Sequence, residues 1–174
     1  MHDFIKVVRS LLLDEFKDFD KRITKLRAMH DHDGYSEFLR ASFLLAARRR
    51  FGPETPIVTI IRFVANVRVI YDVTGTEIDP RAAERLIRTA TGEDDPLEDL
   101  PMQTLQHLQI ILIHKLIDDE ALYDDEIEGF LHQAQTLAVR WRTQAAVETL
   151  ERLGYAVQMP KPQLTTVPQQ RLAS

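Results

Sequence analysis

The sequence predicts an all-α, single-domain bundle of about six helices. Three observations carry that prediction. Apolar residues recur at steps of three and four along most of the chain. Proline, aspartate and glycine fall where such runs would begin and end. With 174 residues the chain can bury roughly 70% of its unfolded surface, so a core forms without staples. The helical domain is expected over 1–154, followed by a proline- and glutamine-containing tail over 155–174 that is expected to be disordered.

From Phe4, the positions Val8, Leu12, Phe16, Phe19, Ile23 and Leu26 share one helical face and predict a single long helix ending near Met29. Asp31, Asp33 and Gly34 favour a turn. Beyond it Ser36, Phe38, Leu39, Phe43, Ala46 and Ala47 outline a second helix, with Asp33 or Ser36 as its cap. Arg48, Arg49 and Arg50 close that helix, and cations in a last turn complement the helix dipole by about 0.3–1 kcal/mol each.

In "GPETPIVTIIRFVANVRVIYDVTG", Thr55 reads as an N-cap and Pro56 as the first helical residue, with Ile57, Ile60, Ile61, Val64, Val67 and Tyr71 on one face. Helix is favoured, while the many β-branched residues keep a strand over 57–73 as the competing reading. The next boundaries are better signalled: Asp79 is an N-cap, Pro80 stands at N1 and Gly92 lies just past the end. Ala83, Leu86, Ile87 and Ala90 form its apolar side, opposite Arg81, Arg85 and Arg88.

After the acidic loop "GEDDPLEDLP" comes "MQTLQHLQIILIHKLIDD", apolar almost all the way round at its centre and therefore expected in the middle of the core. The last helix is expected from Asp125, which has capping-box spacing to Glu128, to Gly154. Its buried side is Phe130, Leu131, Ala134, Leu137, Ala138, Trp141, Ala145 and Leu153.

Function is less legible. The net charge of −5 conceals a division: residues 40–90 carry nine arginines against five acids, and residues 91–130 carry twelve acids against Lys115 alone. Such blocks either close on each other in the fold or present complementary patches to partners. The acids Asp118, Asp119, Asp124 and Asp125 have Arg81, Arg85 and Arg88 as their expected complement, with pairing between subunits slightly favoured. These residues are the expected interaction surface. The absence of cysteine excludes thiolate metal sites and cysteine nucleophiles and suits a cytoplasmic protein. The apolar runs near the N-terminus are too short for a signal or a membrane span, so no membrane association is expected.

"HDHDG", from His30 to Gly34, invites a metal reading, but adjacent residues on one turn cannot converge in tetrahedral or octahedral geometry. A helix end at His30 and a turn at Asp33 and Gly34 explain it better. "YDVTGTEIDPRAAE" fails as a calcium loop, because placing Gly75 at the sixth position puts Ile70 at the first and Arg81 at the twelfth. A helix-turn-helix using Arg81, Arg85 and Arg88 would need a tighter connection than these residues give.

One constellation resists dismissal. Gln103, His107, His114 and Asp118 are spaced by four, seven and four, a narrow stripe on one helix, and an antiparallel following helix would bring His132 to the level of residue 110. Three imidazoles and a carboxylate suit a borderline metal or acid–base chemistry. A solvent edge explains the stripe more simply. The chain has no paired Glu-x-x-His, His-Glu-x-x-His, phosphate loop, dinucleotide fingerprint or nucleophile elbow.

The preferred reading is therefore a non-enzymatic protein-interaction, regulatory or adaptor module that needs no cofactor and is able to form a homo-oligomer. Behind it stands a helical enzyme or metal-binding protein using His107, His114, Asp118 and His132. Third is a nucleic-acid binder using the arginines of 40–90, disfavoured by the overall negative charge.

Overall fold

A computed structural model describes residues 3–28 and 32–152. Among these residues the secondary structure is entirely helical: α1 Asp3–Leu12, α2 Phe16–Ala28, α3 His32–Arg50, α4 Ile57–Tyr71, α5 Pro80–Ala90, α6 Met102–Glu120 and α7 Asp124–Arg152. The fold class is as expected, with one helix more. The competing strand at 57–73 is absent, since that segment is α4. The chain divides into two compact units, Met1–Arg142 and Thr143–Ser174, and everything below concerns the first. The expected tail, Leu153 and the expected stop at Gly154 lie outside the described residues.

The extra helix arises because the expected first helix is broken. Asp14 adopts a left-handed conformation, φ 56°. Glu15 N–H donates to the Ser10 carbonyl at 2.9 Å and Asp14 N–H to that of Leu11 at 3.3 Å, the paired bonds of a Schellman motif. Aspartate is among the few residues other than glycine that tolerate this backbone. The chain then restarts at once, Phe19 N–H bonding the Glu15 carbonyl. The apolar periodicity runs through the break because both helices, packed against each other, turn that face to the core: Val8, Leu12, Ile23 and Leu26 are all buried.

Other boundaries shift by a few residues. The turn expected at 31–34 is mostly helix, since α3 begins at His32 and contains Gly34 and Ser36. Pro56, not Thr55, is the N-cap of α4, while Thr55 Oγ1 accepts from Gly52 N–H at 2.9 Å. The capping box of α7 starts two residues early: Tyr123 N–H donates to Glu126 Oε2 at 2.9 Å, so Glu126 stands at N3. α5 is capped as expected. The Asp79 side chain accepts from the N–H groups of Arg81 and Ala82, and Gly92, φ 116°, ends it in a second Schellman turn.

The core centres on α6 against α3. Leu108, Leu112, Ile113 and Leu116 face Phe38, Leu39, Ala46 and Ala47 within one buried cluster. These two helices run parallel, as Gln106 bonds Ser36 at 2.8 Å near their starts and Glu120 and Asp119 meet Arg49 and Arg50 at their ends. α1, with α2 beside it, covers one side; α4 and α5 cover another. α7 buries Ile127, Phe130, Leu131, Ala134 and Ala138, and is tied to α1 by Arg9–Glu128 at 2.5 Å and to α3 by Arg142–Glu37 at 2.8 Å and by Arg40 stacked over Trp141. Ala145, expected on the buried side, is exposed.

Candidate functional site

α4 is apolar on two sides, and only one of them faces the core. Ile60, Phe63, Val64 and Val67 are buried. On the opposite side Val58, Ile61 and Val69 are exposed, the last to 87%, while Ile57 and Ile70 are half-exposed at the two flanks and Val73 is exposed beyond the helix end. Ile61, Ala65 and Val69 follow one another at steps of four and form a short row on the outer surface. With Val58 beside them they present on the order of 300 Å² of apolar surface, the lower end of what the largest patch on a monomer covers. Only Arg62 and Arg68 interrupt the helix with charge, and Arg68 is bonded to Asp72 at 3.2 Å.

The charged residues expected to form the interaction surface are placed differently. Arg85 is clamped between two carboxylates, Nε and Nη2 to Asp95 at 2.7 and 2.8 Å and both Nη atoms to Asp99 at 2.8 Å. This raises the guanidinium's own pKa, holds Asp95 at about 2 and lowers Asp99 as well. Arg88 pairs with Glu93, and Arg81 is exposed. The complement of Arg85 and Arg88 is thus the loop that follows their own helix. The acids ending α6 find other cations: Asp119 meets Arg50 at 3.0 Å and also Lys115, Glu120 meets Arg49 at 2.6 Å, and Asp118 lies 3.6 Å from Lys115. Acids at a helix C-terminus oppose the dipole, and the arginines that end the parallel α3 offset them. Asp124 and Asp125 are exposed. The basic and acidic blocks therefore close largely on each other within one chain.

The histidine stripe separates. His107 and Asp118 are exposed, as is His132 on α7, whereas His114 is buried. Its Nε2 lies 2.9 Å from Asp14 Oδ1 and its Nδ1 2.7 Å from the Tyr71 hydroxyl. The carboxylate and the hydroxyl thus hold both ring nitrogens, the direction of each bond following the imidazole's tautomer. Phe16 and Tyr71 enclose the ring, with centroids at 5.6 and 5.7 Å. Burial, then the charges of Asp118, Asp14 and Asp119, raise the Tyr71 pKa. This arrangement fastens the end of α4 and the α1–α2 turn to α6. Among the described residues no three His, Asp or Glu side chains gather in a way that would hold a metal ion. The 72–78 loop is organised by its own carboxylate: Asp72 Oδ1 accepts from Glu77 N–H at 2.9 Å and Oδ2 from Ile78 N–H at 3.3 Å, which lowers the Asp72 pKa. Within HDHDG, His30 and Asp31 lie outside the described residues.

His107 and Gln103 do line an open cleft of about 1040 Å³, together with Ile23, Leu26, Glu37, Met102 and Arg142. Its most prominent charges are already paired, Arg142 with Glu37. A second hollow of about 470 Å³ adjoins the start of α4, between Pro53, Ile60 and Arg88. His114 lines neither of these two.

The outer row of α4 was missed by reasoning from periodicity, which assigned Ile57 and Ile61 to the buried face. The signal is present in the sequence: Val69 continues the step of four from Ile61 through Ala65, and an amphipathic helix has no use for a second apolar row. Nor do known proteins supply a function by similarity: no protein-family model, no curated protein and no solved structure matches this chain.

Proposed function

We propose that the chain is a non-enzymatic protein-binding module that docks its partner on the outer face of α4. The observation that carries this reading is the exposed outer row Ile61, Ala65 and Val69 with Val58 beside it, because large apolar side chains left to water on a helix face that no described element covers are suited to docking. Two further features agree with it. The arginines of 40–90 that would attract nucleic acid are largely engaged with carboxylates, at Arg49, Arg50, Arg68, Arg85 and Arg88. The buried imidazole of His114 is held on both nitrogens in a role that joins helices, apart from both clefts.

The test compares two baits in extracts of the native cells, wild type and Val69→Glu, both tagged and both checked for helical content by circular dichroism. A protein recovered by the wild type and lost with Val69→Glu supports docking on α4. If everything recovered binds both baits equally, the face is not the docking site.

A further inference from the structure

We draw no further inference here: the strongest candidate, the open cleft of about 1040 Å³ lined by Ile23, Leu26, Gln103, His107 and the paired Glu37 and Arg142, carries nothing, since nothing in the structure shows what fills it and its polar groups select no one class of ligand.

Discussion

α4 and α6 both carry apolar side chains on more than one side, and they have opposite fates. α6 is covered by α3 along its length and by α1 and α4 at its flanks, so Leu108, Leu112, Ile113, Leu116 and Ile117 reach almost no solvent. Even its polar residues are accommodated: His114 between Tyr71 and Asp14, Lys115 against Asp118 and Asp119. α4 is covered on one side only, by α5 and α6, and leaves β-branched side chains to water on the other. Apolar content thus fixes that a helix wants cover, while the topology fixes how much of it one chain supplies. The proposed docking rests on this shortfall on α4.

The sharpest way to break this comparison is to truncate a core residue of α6. Leu112→Ala should lower the unfolding free energy by about 2–5 kcal/mol in urea denaturation, as removal of a fully buried leucine leaves a cavity that the packed interior fills only in part. A loss below about 1 kcal/mol would mean that α6 is not the centre of the core.

A smaller effect is expected where the two helices are joined. Tyr71→Phe keeps the ring against His114 but removes the hydroxyl bonded to Nδ1, and should destabilise the fold by about 0.5–1.5 kcal/mol. Pairing it with His114→Phe in a double-mutant cycle measures the coupling, and additive losses would show that the contact is geometric only.

Smaller again, and dependent on pH, is the contribution of the charge clamp on α5. Arg85 depresses Asp95 to about 2, against roughly 3.9 in an unfolded chain. A depressed carboxylate adds stability above its unfolded value that is lost as pH falls through its folded one. The melting temperature of Asp95→Asn should therefore lie below wild type at pH 5, and the gap should close between about pH 4 and pH 2. A gap that is constant over this range would show that the loss comes from the amide's packing and not from its charge.

These elements also show what the sequence discloses and where it stops. The start and end of α5 were legible because Asp79, Pro80 and Gly92 act on the backbone beside them. The core role of α6 was legible because its centre is apolar on every side. The break at Asp14 was not, since both flanking helices turn the same periodic face inward and the left-handed position is filled by aspartate and not glycine. The start of α7 was misplaced because Asp124, Asp125 and Glu126 offer several cap registers, and the observed one uses Tyr123 at the N-cap. For the candidate site the spacing of Gln103, His107, His114 and Asp118 predicts one stripe on α6. Its division was illegible, because whether a stripe is covered depends on elements distant in sequence, here the α1–α2 turn and Tyr71, which enclose His114 and leave His107 and Asp118 in solvent. The charge blocks were read correctly as complementary, but which acid meets which arginine follows from α3 and α6 being parallel, a relation that only the assembled fold contains.

The smallest effect, at Val69, serves as the control that separates the two faces of α4 within a single helix. Valine and threonine have similar shape and nearly equal helix propensity, so exchanging them changes little except whether a hydroxyl replaces a methyl group at that point. At Val67, which is fully buried, Val67→Thr places the hydroxyl in the core and should destabilise by about 1–3 kcal/mol. At Val69, Val69→Thr meets water, and in dilute protein its stability should stay within about 0.5 kcal/mol of wild type. The two substitutions lie two residues apart, so propensity and end effects cancel between them and the difference reports cover alone. A Val69→Thr loss as large as that of Val67→Thr even in dilute protein would show that the outer face is already covered within one chain, and α4 would then differ from α6 in nothing that bears on function.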